Sequence, residues 1–290
     1  MARIVSWFSC GAASAVATKM MRPDVIAYCD TGSEDEDNAR FMADCERWFE
    51  QPVTHLRGKW PNTWAVWEKR RFINGMDGAP CTGELKVAPR LAFQMPDDVH
   101  VFGYTADASD VRRAETLREN WPELQIVTPL IEKGITKAAC LAMVLNAGIQ
   151  PPRVYAMGFP NANCIPCGKA TSPAYWALVR KEFPVQFHRM AGLCRDVGAR
   201  LTRIDGVRMF IDEIPEGYPV TEAIAPECDF LCSLADQDLM PSNKEIIHEN
   251  LLSRTGQSGL HRRVSELPET GDQAPLCDAR RRRDRNVALH

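Results

Sequence analysis

No run of this chain approaches the about eighteen consecutive apolar residues that a membrane-crossing helix needs, so no membrane partner is expected. Charge of one sign is also lacking: 35 Lys and Arg face 38 Asp and Glu, a formal net charge of -3. That balance gives no global case for nucleic-acid binding. The six histidines lie far apart without ligand-type spacing, which argues against a His-rich zinc site. No internal repeat is visible, and the first residues show no basic segment followed by an apolar core and cleavage site. A cytoplasmic protein is expected. The eleven cysteines would make a disulfide scaffold only in a short secreted chain, and this one has 290 residues. In a reducing compartment, clustered thiols more often serve metal or redox chemistry.

What is present is an alternation of buried strands and helices. Ile4-Val5 leads into the small-residue turn Ser9-Cys10-Gly11-Ala12-Ala13-Ser14 and then a helix over 15–20. Residues 24–29 read as a second strand ending at Asp30-Thr31-Gly32. Phe41, Cys45, Trp48 and Phe49 recur at helical spacing, and 52–56 read as a third strand. This βαβαβ order calls for a parallel sheet with right-handed crossovers. Helices are expected over 64–71, 86–93 and 137–146, and strands over 99–105 and 125–130. The fold class is therefore α/β, a parallel five-stranded Rossmann-like sheet with helices on both faces and a mostly helical C-terminal region. Residues 1–150 form the α/β domain and 151–235 a cysteine-containing helical extension, with helices over 173–183 and 184–197 split at Pro184. Residues 236–290 read as a polar, partly disordered tail. Its basic run, Arg280 to Arg283 and Arg285, reads as a solvated terminus rather than a nucleic-acid contact.

Ligands of open parallel sheets sit at loops on the carboxyl ends of the strands. Three such loops carry suitable chemistry. The 9–14 turn offers backbone N–H groups at a helix start, where an anion such as phosphate can sit, or it is only a tight connection. Asp30 offers a carboxylate to a ribose hydroxyl or a base amine, or caps a helix. Gly103 opens a loop whose Arg112 and Arg113 suit phosphate or sulfate oxygens, or form a surface pair. Together the three favour nucleotide binding. Cys164-Ile165-Pro166-Cys167 is a C-x-x-C able to hold a metal or cluster. Cys81 precedes an expected helix, where a thiolate is favoured. Cys228 and Cys232 lie one helical turn apart, while Cys29, Cys45, Cys140 and Cys194 sit among apolar neighbours as core thiols.

In these residues the chain resembles the phosphoadenosine phosphosulfate (PAPS) reductase-like branch of the PP-loop ATP pyrophosphatases, over residues 4 to about 170. The family's first loop, S-G-G-x-[DH]-S, is similar to residues 9–14, and its D-T-G is present as Asp30-Thr31-Gly32. The reductases' C-C-x-x-R-K-V-x-P segment resembles Cys81-Thr82-Gly83-Glu84-Leu85-Lys86-Val87-Ala88-Pro89. Their proline-rich turn, Tyr, Gly and C-x-x-C resemble Pro151-Pro152, Tyr155, Gly158 and Cys164 to Cys167. Between Thr82 and Cys164 lie 81 residues, a spacing similar to that of the iron–sulfur members. Three departures stand out. Cys10 replaces the first glycine of the loop, Ala13 its acidic or histidine position, and Thr82 the second of two adjacent cysteines.

The resemblance implies a HUP-type sheet and an adenine-nucleotide cofactor, ATP with Mg2+. It implies that Ser9, Cys10, Gly11, Ala12, Ala13, Ser14, Asp30, Thr31, Gly32 and Gly103 contact the nucleotide, with Lys86, Arg112 and Arg113 neutralising phosphate charge. It implies a 4Fe–4S cluster on Cys81, Cys164 and Cys167, with Cys228 or Cys232 as a fourth ligand, or zinc in the same place. The activity implied is ATP-dependent sulfur transfer: adenylation of an acceptor, in DNA, tRNA or a small molecule, with pyrophosphate release and a sulfur-donor protein as partner. Two other readings stay open. One is a sulfonucleotide reductase acting on adenylyl sulfate or PAPS, although the reductases' terminal E-C-G-[IL]-H is absent and Cys277 stands in a different context. The other is a zinc-stabilised nucleotide-binding module without turnover.

Overall fold

The computed structural model describes residues 2–76 and 78–227. Cys228, Cys232, Cys277 and the 236–290 segment lie outside the described residues. Five parallel strands, β1 (Ile4–Trp7), β2 (Val25–Asp30), β3 (Val53–Arg57), β4 (Val99–Val101) and β5 (Gln125–Val127), form one sheet in the order β3-β2-β1-β4-β5. In register, Val5 lies opposite Val25 on one side and His100 on the other. The chain builds outward from β1 to β3, then returns to the other side of β1 for β4 and β5. The order therefore reverses between β1 and β4, and a crevice opens beyond their carboxyl ends.

The central strands are buried on both faces, as parallel sheets are. Facing one side, Phe8, Ile26, Tyr28, Val99, Val101 and Val127 join the large core under α1 (Ala12–Met21), α2 (Asn38–Phe49) and the later helices. Facing the other, Val5, Trp7 and Ala27 pack with Phe93 and Phe102. The alternation within β1 thus sorts its residues between two cores.

Local chemistry sets the remaining elements. Asn62 caps α3 (Thr63–Arg70) by accepting the Ala65 N–H at 2.9 Å. One turn, α4 (Pro80–Thr82), a π-helical turn Gly83–Val87 and α5 (Ala88–Phe93) then run on as one winding stretch. The π turn adds a residue to the helical register, a feature often found at functional sites. It carries Lys86. After β4 comes α6 (Ala108–Asn120), and after β5 the turn α7 (Pro129–Glu132) and α8 (Lys137–Asn146), capped by Thr136.

Beyond Pro152 come α9 (Arg153–Ala156), α10 (Pro173–Glu182) and α11 (Pro184–Val197), the break between the last two falling at Pro184 as expected. After α11 come β6 (Thr202–Ile204) and β7 (Val207–Met209), paired antiparallel. Asp205-Gly206 closes that hairpin, both at positive φ, as a tight hairpin turn requires. The described residues beyond Pro152 are thus mostly helical with one small hairpin.

Candidate functional site

A cleft of about 670 Å³ opens at the crevice beyond β1 and β4. Its first wall is the 9–14 turn. The β1–α1 connection forces Cys10 to φ +57°, a left-handed conformation that suits the glycine found there in the resembling family. The Cys10 side chain is buried and donates to the Asn38 carbonyl at 3.2 Å, so it faces the core while its backbone shapes the turn. Ser14 Oγ accepts the N–H groups of Ser9 and Gly11 at 3.1 and 3.3 Å, and the Tyr155 hydroxyl accepts that of Ala12 at 3.3 Å. Hydroxyl oxygens thus occupy a converging set of backbone donors at the start of a ten-residue helix, the arrangement that accepts an oxyanion. Gly103 lets β4 end directly against this turn: a Cβ there would lie 2.5 Å from Ser14 Cα. Of the turn, Ser9, Gly11, Ala13 and Ser14 line the cleft, while Cys10 and Ala12 support it from behind.

The Asp30-Thr31-Gly32 turn forms the second wall. Gly32 has φ +59°, and a Cβ there would meet the Pro61 carbonyl oxygen at 2.0 Å, so the position admits only glycine. Asp30 accepts the Gly32 N–H at 2.9 Å and pairs with Arg57 at 2.8 Å. Its carboxylate is therefore engaged outside the cleft. Thr31 is the member that lines the cleft, with its hydroxyl 3.1 Å from the Cys164 sulfur. The Ile165 N–H also donates to the Ser33 carbonyl at 2.8 Å. These contacts fasten the C-x-x-C stretch to the end of β2.

Cys81, Cys164 and Cys167 all line the cleft, as does Cys29. Burial is the largest influence on Cys164 and pushes its thiol up to about 12, against the pull of Lys86 and the Thr31 hydroxyl. Cys81 sits within α4, not ahead of a helix, and burial raises its pKa, opposed by the Trp67 N–H, Lys86 and Lys169. The expected helix-favoured thiolate is therefore replaced by a half-buried thiol of raised pKa. The Trp67 indole N–H makes no hydrogen bond of standard geometry despite being buried. Thiolates are the usual ligands of an iron–sulfur or zinc group, and these three thiols line one cleft. Among the described residues, no three His, Cys, Asp or Glu side chains converge closely enough to hold a metal ion. Cys29 is not purely a core thiol; Cys45, Cys140 and Cys194 are buried as expected.

Lys86 reaches into the floor of the cleft, where its ammonium forms no hydrogen bond or ion pair among the described residues. Burial draws its pKa down, but Cys164, Glu34, Cys167 and Cys29 together hold it above the ordinary lysine value. Lys86 is thus a protonated cation. Glu34 faces it and accepts hydrogen bonds from Tyr28 and Asn38; burial keeps its pKa raised in spite of these partners.

Arg112 and Arg113 stand on α6 rather than in a loop. Arg113 lines the cleft, lies over the Tyr104 ring at 5.4 Å and pairs with Asp110 at 2.8 Å. Arg112 is exposed and does not line it. The reading from sequence missed Arg90 on α5. It is 5 % exposed, lines the cleft, and none of its three guanidinium nitrogens has a hydrogen-bond partner among the described residues. Glu123, Cys29, Tyr104 and His100 are within electrostatic reach, and the Trp121 ring lies 4.3 Å away. Such a contact returns about 2 kcal/mol when desolvated, less than the several kcal/mol that removing an ion from water costs. The signal was a lone charge in Val87-Ala88-Pro89-Arg90-Leu91-Ala92-Phe93, an otherwise apolar helical run.

Five cationic side chains line the cleft, Lys86, Arg90, Arg113, Lys137 and Lys169, against two carboxylates, Glu34 and Asp110. In a concave, low-dielectric site this excess attracts anions, although the whole chain is slightly acidic. The fold and site together define a Rossmann-like α/β protein with a cationic, thiol-bearing cleft at its switch point. No protein-family model matches the chain, and no curated protein matches it.

Proposed function

We propose that this chain is an adenine-nucleotide-binding enzyme similar to the PAPS reductase-like PP-loop proteins, and that it transfers sulfur to an acceptor activated by ATP. One observation carries the reading. A single cleft gathers the 9–14 amide cradle, the uncommitted Lys86 ammonium and three thiols, from stretches far apart in sequence. Sulfur chemistry driven by a nucleotide needs those three parts side by side.

In this reading an acceptor oxygen attacks the α-phosphorus of Mg-ATP and pyrophosphate leaves. The amides of Ser9, Gly11 and Ala12 exchange their hydroxyl partners for phosphate oxygens, and Lys86 neutralises the charge that develops. Sulfur at the oxidation level of sulfide then attacks the carbon bearing the adenylylated oxygen. A C–S bond forms, the C–O bond breaks, and AMP departs with the oxygen. Nothing is oxidised or reduced. Cys81, Cys164 and Cys167 would hold an iron–sulfur cluster, which supplies sulfur of that oxidation level. Thr31 orients Cys164 by its hydroxyl contact.

Anaerobic purification followed by iron and acid-labile sulfide analysis tests the thiol half of the reading. Both are expected in the wild type and lost in Cys164→Ala. Pyrophosphate release from ATP, stimulated by nucleic-acid or small-molecule acceptors, tests the nucleotide half. A protein that holds only zinc and releases no pyrophosphate overturns the proposal. Sulfite release from adenylyl sulfate with a thiol donor would redirect it to the reductase chemistry.

A further inference from the structure

A buried guanidinium with no hydrogen-bonding partner is an expensive feature unless something complements it. Trp7, Phe102, Leu117 and Trp121 line the same cleft as Arg90, and Glu123, Cys29, Tyr104 and His100 lie within electrostatic reach without hydrogen-bonding the guanidinium. Arg90 enters from α5, which covers the sheet face packed with Trp7 and Phe93, whereas the 9–14 turn starts α1 on the opposite face. The two meet only because the cleft spans the strand ends.

We infer that Arg90 forms a second oxyanion subsite in the cleft, distinct from the 9–14 turn, that takes the phosphate, sulfate or carboxylate group of the second substrate. This rests on the proposed nucleotide at the turn and names what sits beside it. The guanidinium offers its fork of N–H donors, all free, to the oxygens of one such group. Packing against the Trp121 ring, 4.3 Å away, limits the motion of the guanidinium before an anion enters. Lys86, four positions earlier in sequence on the π-helical turn, lines the same cleft and adds a second positive charge.

The test uses the full chain and inorganic sulfate as the probe, titrated calorimetrically at constant ionic strength with ATP present at saturating concentration. Sulfate is expected to bind the wild type. Arg90→Met is expected to weaken sulfate at least tenfold, to change ATP affinity less than threefold, and to raise the melting temperature of the ligand-free protein by removing an unpaired buried charge. Arg90→Lys, which keeps the charge and loses the fork, is expected to fall between the two for sulfate. No sulfate binding to the wild type, an Arg90→Met affinity within twofold of it, or displacement of sulfate by ATP each overturns the subsite. If ATP fails to bind while sulfate binding still depends on Arg90, the subsite stands and the nucleotide reading falls.

Discussion

At Cys10 the backbone holds φ +57°, a conformation costing a residue with a Cβ about 1–2 kcal/mol. Glycine would escape that cost but would lose the buried thiol and gain chain entropy when unfolded. These terms nearly cancel, so Cys10→Gly is expected to leave unfolding stability within about 1 kcal/mol of wild type. Gly32 behaves oppositely, because its positive φ coincides with a Pro61 oxygen where the Cβ would go. Gly32→Ala is expected to lose roughly 3 kcal/mol or more. Urea unfolding of the two variants side by side checks both. The loops themselves were legible, since small residues after a strand and a D-T-G triplet carry their own turn chemistry. Arg90 was marked only by being a lone charge in an apolar helical run, which does not show that its guanidinium ends up buried without a hydrogen-bond partner.

Among the elements, β4 carries the pH sensitivity that is easiest to isolate. His100 is buried in the sheet, and its Nδ1 accepts the Trp7 indole N–H at 3.0 Å. Burial, helped by the nearby Arg90 charge, lowers its pKa from 6.5 to about 4. The folded protein therefore keeps His100 neutral while the unfolded chain takes up a proton. Its contribution is whole above pH 6.5 and is lost as the pH falls through 4, an effect of about 3 kcal/mol at most. His100→Gln removes the titrating group, so the stability difference between wild type and variant should shift towards the variant by that order between pH 7 and 4. Denaturant unfolding across that range reads the shift, and parallel pH profiles would contradict it. The elements that the sequence hid share one cause, a missing hydrophobic period. Only Asp110 and Ala114 of α6 are buried, so a thirteen-residue helix looked like a polar loop. The β6–β7 strands are three residues each and mostly exposed, too short to show alternation.

For the whole molecule, the five-strand parallel sheet was legible because β1, β2, β4 and β5 are mostly apolar runs separated by helical periodicity or turn residues, while β3 buries only Val53. The convergence of distant stretches on one cleft was not, since the order β3-β2-β1-β4-β5 is what carries the 81–90 segment, the C-x-x-C and the 9–14 turn to the same rim. The proposed function requires that this rim bind an adenine nucleotide through the turn and Lys86. Isothermal titration of the full chain with Mg-ATP, comparing wild type with Lys86→Ala, reads that binding without an acceptor or a sulfur donor. One ATP per chain and at least a tenfold loss of affinity in the variant are expected. No heat of binding to the wild type at millimolar ATP, or equal affinity in the two proteins, would contradict it.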